Sequence, residues 1–94
     1  MSETIAESSG NVFIDLGYSA DEAAVLQMRA DLMAGLRKFI KAKKITQARA
    51  AEILGVSQSR VSDLNRGKWE KFSLEMLIIL ATKAGMRVTL KAAA

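Results

Sequence analysis

Residues 45–68 read ITQARAAEILGVSQSRVSDLNRGK, and the order of capping residues and glycines in that run decides the fold. Thr46 has a side-chain oxygen able to accept from the free N–H groups that open a helix, so a helix is expected over Gln47–Leu54. Gly55 closes it in the left-handed conformation that glycine adopts at least cost. Ser57 repeats the capping signal and predicts a second helix over 58–66, ended by Gly67. Val56 before that cap and Val61 inside the helix form a hydrophobic staple that fixes the angle of entry.

Two short helices joined by a glycine turn have the layout of a helix-turn-helix. Ala51 is small where the helices cross, and Ala50, Leu54, Val56, Val61 and Leu64 are the apolar points that hold the pair against the rest of the domain. What remains on the outer face of the second helix is Gln58, Ser59, Ser62, Asp63 and Arg66, side chains suited to base edges and phosphates.

Toward the N-terminus, Ser19 and Glu22 make a capping box, so a helix starts near Ala20. Val25, Met28, Leu32, Leu36, Phe39 and Ile40 mark an apolar stripe running to about Ala42, with Gly35 inside it as an expected break between two helices. Residues 12–16, VFIDL, are read as too short for a helix and too apolar to remain undocked, while residues 1–10 lack the apolar groups to offset ordering; residues 1–18 are assigned as a flexible segment and 19–94 as the domain. Toward the C-terminus, Ser73 caps a helix over 74–84, stapled by Phe72 and Leu77 and ended by Gly85. Positions 76–81 are apolar without interruption, so that helix buries more than one side. Residues 86–91, MRVTLK, alternate as a half-buried strand, which needs a partner: the 12–16 segment, the same strand of a second copy, or another protein. The expected fold class is therefore all-α, a small bundle with one C-terminal β-strand. Pairing two copies satisfies both the strand and the two-sided helix, with antiparallel strands across the two-fold axis and Met76, Ile79, Met86, Val88 and Leu90 in the dimer interface.

Composition narrows the function. Among 94 residues there is no Cys, His or Pro, which removes disulfides, zinc-finger ligation, thiol nucleophiles and histidine bases. No pair of carboxylates, nucleophile with base, or metal cluster stands at workable spacing, so neither an enzyme, a metal site, a cofactor nor a small-molecule ligand is expected. Half the residues are apolar without a membrane-length run, and no secretory signal is present, which predicts a cytoplasmic chain with no membrane partner. Residues 1–36 carry Arg29 against Glu3, Glu7, Asp15, Asp21, Glu22 and Asp31, a net of −5. Residues 37–71 carry ten bases against Glu52, Asp63 and Glu70, a net of +7. The split suggests a polyanion for the middle; for the N-terminal third it suggests a cationic partner, or else only a solvated acidic face.

The run quoted above resembles the Cro/Xre-type helix-turn-helix family, the class of the lambda repressor, through Thr46, Gln47, Ala51, Leu54, Gly55, Val56, Ser57, Val61, Ser62, Leu64, Gly67 and Lys68. The wider frame, NVFIDLG at 11–17, RGKWEKFSLEML at 66–77 and GMRVTL at 85–90, resembles the HigA-like antitoxins and related regulators. The ordinary family has a fifth helix where this chain has its expected strand, so its dimer geometry does not carry over. The resemblance implies a repressor of its own operon that binds a double-stranded DNA operator as a homodimer and neutralises a toxin similar to the RelE/HigB ribonucleases.

Residue by residue, it implies that Gln47, with Thr46 beside it, meets a phosphate at a helix N-terminus. Gln58 and Ser59 begin the recognition helix and face base edges, with Ser62 and Asp63 behind them; Asp63 either accepts from cytosine or pairs with Arg60 or Arg66 one turn away. Arg60, Arg66, Lys68 and Lys71 are the phosphate-contacting candidates. Trp69 is expected as a lid on the core rather than a stacking group, and the five Met residues as core filler. The acidic N-terminal third, with Val12, Phe13, Ile14 and Asp15, is the expected toxin-binding segment, ordering on a basic partner. Two alternatives remain beside this reading: a free-standing regulator without a toxin, and a toxin-binding protein whose helix-turn-helix is vestigial.

Overall fold

The computed structural model of the protein describes residues 11–90 and 92. It contains five α-helices in that range: α1 (Val12–Asp15), α2 (Ala20–Lys43), α3 (Gln47–Leu54), α4 (Gln58–Asn65) and α5 (Leu74–Lys83), with a 3-10 turn over Trp69–Lys71. Each longer helix begins where a short polar side chain accepts from the backbone N–H three residues on: Ser19 from Glu22, Thr46 from Arg49, Ser57 from Arg60, and Ser73 from Met76. At Ser19 the capping box closes in both directions. The Ser19 hydroxyl also donates to the Asp21 carboxylate at 2.7 Å, and this bond, helped by backbone N–H groups, holds that carboxyl below its ordinary pKa.

The core is one cluster in which α2 contributes Met33, Leu36 and Ile40, α3 Ala50, Ala51 and Leu54, α4 Val61 and Leu64, and α5 Leu77, Leu80 and Ala81. Phe72, only 1% exposed, plugs its base from the segment before α5. Trp69 is half-buried and packs against this cluster, matching its expected place as a lid.

Four sequence expectations need correction. Residues 12–15 do form a helix, α1, because Asn11 caps it: its side chain accepts from the Phe13 N–H at 2.9 Å, while its amide donates to the Ala23 carbonyl of α2 at 3.0 Å. Phe13 then meets Tyr18 and Trp69 edge-on, with centroids 6.0 and 6.1 Å away. Of the segment assigned as flexible, residues 1–10 lie outside the described residues, while Asn11 and α1 dock on α2.

Next, Gly35 does not divide α2, which runs unbroken for 24 residues. A Cβ on Gly35 would stand 3.1 Å from the terminal methyl of Met86, so the glycine makes room for a side chain from the far end of the chain. The buried stripe of α2 follows the expected one at Leu36 and Ile40, with Leu32 and Phe39 half-buried against the core, but its N-terminal part is rotated: Ala23 and Leu26 lie inside while Val25 and Met28 are about two-fifths exposed. This helix has apolar residues on more than one side, and its neighbours rather than its periodicity choose the face.

Finally, no strand is present among the described residues: residues 86–90 join no ladder, and the Met86 N–H donates instead to the Ala81 carbonyl of α5 at 3.0 Å. Met86 and Val88 still lean on the core, and Leu90 is 77% exposed, so the alternation survives without the ladder. The reason is a missing partner: residues 12–16, the candidate within the chain, are largely committed to α1, and a strand exists only where a neighbour takes its backbone groups.

Candidate nucleic-acid interface

The α3–α4 unit is built by local geometry. The α3 helix ends in Gly55 at φ 69°, and the following Val56 N–H donates back to the Ala51 carbonyl at 3.0 Å. A side chain at Gly55 would be strained in this left-handed conformation and would meet the Lys83 ammonium 3.1 Å away. Ala51 and Leu54 on one side, with Val61 and Leu64 on the other, are buried at the crossing, so α4 is held at a fixed angle to α3. At its other end α4 closes through Gly67 (φ 71°), with the Lys68 N–H donating to the Asp63 carbonyl at 3.0 Å.

This scaffold leaves Gln58 and Ser59 exposed on the first turn of α4. Neither side chain is used in a cap or in a hydrogen bond among the described residues, so both are available to a base edge. Ser62 and Asp63 follow, half-buried one turn on; the Asp63 carboxylate pairs with neither Arg60 nor Arg66 among the described residues. Thr46 spends its hydroxyl oxygen on its cap, and Gln47 stands exposed beside the free N–H groups that open α3. Arg66 and Lys71 are exposed and Lys68 is half-buried.

Arg60 is placed differently from its fellow cations. Its guanidinium donates to the Lys71 carbonyl at 3.0 Å and lies 5.5 Å from the Phe72 ring centroid. It therefore ties the first turn of α4 to the segment before α5, and the positive charge at that unfavourable end of the helix has an internal explanation. Arg29, the one base of residues 1–36, lies 6.0 Å from the Trp69 ring centroid and links the aromatic cluster to α2. The exposed Arg49–Glu52 pair, 2.9 Å apart and one turn along α3, adds little stability. Two cations beside the unit carried no sequence signal of their position: Lys83, over the α3–α4 turn, and Arg37, whose guanidinium lies 3.4 Å from where a Cβ at Gly67 would stand.

A family model described as "Helix-turn-helix domain" matches residues 12–93 of this chain. Among solved structures, one named "Putative XRE Family Transcriptional Regulator" is similar at 32% sequence identity and a TM-score of 0.72, the match covering 78% of this chain and 82% of that one. No match is found among the curated proteins.

Proposed function

This chain belongs to the XRE family of helix-turn-helix transcriptional regulators, and from that premise we propose that it is a sequence-specific repressor that works as a homodimer and serves as the antitoxin of a toxin–antitoxin pair. The observation that carries the DNA reading is the exposed, unengaged pair Gln58 and Ser59 on the first turn of a rigidly held α4. In helix-turn-helix docking this is the part of the recognition helix that meets base edges, while cations around it position the protein on the backbone. Ser62 and Asp63 extend the base-reading row; Thr46, Gln47, Arg66, Lys68 and Lys71 form the phosphate clamp, to which Arg60 belongs only if it leaves its internal partners.

An exposed apolar face supports the dimer. Ile79 is 55% and Leu90 77% exposed, and a groove of about 710 Å³ between α2, α5 and residues 88–90 is lined by Met28, Leu32, Ile78 and Val88. A second copy would cover this surface and offer residues 86–91 a strand to pair with, with Met76 and Met86 behind the contact. For the toxin, Val12, Ile14 and Asp15 are presented outward by α1, while Phe13 anchors that helix from beneath. An apolar patch beside the acidic start of α2 suits a basic partner.

Selection of bound duplexes from a random pool tests the central claim. The wild-type chain should enrich a two-fold symmetric motif with half-sites an integral number of helical turns apart. Enrichment of no motif would refute base reading. A small basic ribonuclease-like frame beside the gene is the expected genetic setting, and its absence would reduce the function to that of a free-standing regulator.

A further inference from the structure

Arg37, Lys41 and Lys44 recur at spacings of four and three along the C-terminal half of α2, with Lys38 on the flank. All four are exposed, and none joins an ion pair among the described residues. With Ile45 and Asn65 they line a groove of about 550 Å³ between α2 and the end of α4. Through Arg37 the stripe is continuous with the Gly67 turn, which carries Arg66 and Lys68.

Two ordinary explanations fall short. A helix C-terminus attracts cations, which accounts for Lys41 and Lys43 in the last turn but not for Arg37 and Lys38, too far from that end. Like charges at these spacings repel within a helix, so without an outside anion the stripe carries a cost. Lys44 is the sharper case. It caps α2 in the left-handed conformation at φ 54°, the one non-glycine residue at positive φ among the described residues, whereas glycine fills Gly55, Gly67 and Gly85. Glycine would take that conformation without strain, and what lysine adds is its charge.

We infer that Arg37, Lys38, Lys41 and Lys44 form a second phosphate-binding track, which holds the backbone of duplex DNA outside the base pairs read by α4. The inference rests on the DNA-binding function proposed above and extends its footprint to α2. An extended polyanion fits better than a small phosphorylated ligand, because the four side chains are long, exposed and strung along the helix rather than converging on a buried point. From Arg37 to Lys44 the helix advances about 10 Å, roughly the axial length occupied by three phosphates of one strand.

The test uses the full chain and a random-sequence duplex, with affinity measured by fluorescence anisotropy across a salt series. Lys44→Gly should flatten the slope of log affinity against log salt by about 0.9, and a triple Arg37→Ala, Lys38→Ala, Lys41→Ala variant by about 2 to 3. Lys44→Arg should retain the wild-type slope. The melting temperature of Lys44→Gly should hold or rise, because the strained residue has been relieved while the affinity falls. That opposite movement is what a merely structural cap would not produce. If all variants keep the wild-type slope, the track is overturned, and an acidic protein surface becomes the candidate for this stripe. If the wild-type chain shows no salt-dependent duplex binding at all, the DNA-binding function itself falls and the inference with it.

Discussion

Replacing Arg60 by Ala asks whether this cation serves the fold or the DNA. In the folded chain its guanidinium donates to the Lys71 carbonyl at 3.0 Å and lies over the Phe72 ring at 5.5 Å. The carbonyl is exposed enough to take water once the arginine is gone, so the lost bond is worth about 1 kcal/mol. The contact with the ring adds about 0.5–1 kcal/mol. Against these, removing a positive charge from the first turn of α4 returns about 0.3–0.5 kcal/mol by relieving the helix dipole. The net loss is about 1–1.5 kcal/mol, which for a domain of this size lowers Tm by roughly 5–10 °C. Thermal unfolding followed by circular dichroism measures this, and anisotropy titrations on duplex DNA over a salt series measure the other half. The expected result is a lowered Tm with an unchanged salt slope. An unchanged Tm together with a slope flattened by about one unit would show that Arg60 leaves Phe72 to bind a phosphate, and the assignment of this residue to the fold would be wrong.

Gln58→Ala should cost about 1–3 kcal/mol on a selected operator and little on random DNA, whereas Lys68→Ala should weaken both alike and flatten the salt slope by about one unit; equal losses on both DNAs for Gln58→Ala would remove it from base reading. Val88→Asp with Leu90→Asp should leave a folded monomer in analytical ultracentrifugation, and a variant that stays dimeric would move the interface elsewhere. On the antitoxin reading proposed above, Val12→Asp with Ile14→Asp, two exposed positions on α1, should abolish neutralisation of a toxin encoded beside this chain while operator affinity stays unchanged; retained neutralisation would shift the toxin site to the helical body. Gly35→Ala should stabilise the chain by up to about 1 kcal/mol through helix propensity, because the Met86 methyl 3.1 Å from the added Cβ ends a flexible side chain that can give way. A destabilised Gly35→Ala would show that Met86 is held rigidly against α2.

The start of α2 and the starts and stops of α3, α4 and α5 were legible in the sequence because each depends on partners about a turn away. Ser19, Thr46, Ser57 and Ser73 all accept from the N–H three positions on, and Gly55 and Gly67 end α3 and α4 at the positive φ that their place in the run demanded. The apolar crossing of α3 and α4 followed from the same spacing, and with it the exposure of Gln58 and Ser59. What the sequence left open depends on residues brought together across the chain. Asn11 caps α1 and reaches the Ala23 carbonyl; Arg60 meets Lys71 and Phe72; Met86 fills the space that Gly35 leaves. The face that α2 buries belongs to the same class, since its apolar residues admit more than one register until α1 and the core close on it. Residues 86–90 fail to form a strand for the complementary reason: alternation specifies which side chains turn inward, and Met86 and Val88 obey it, but a ladder requires a neighbour's backbone, which no local pattern contains.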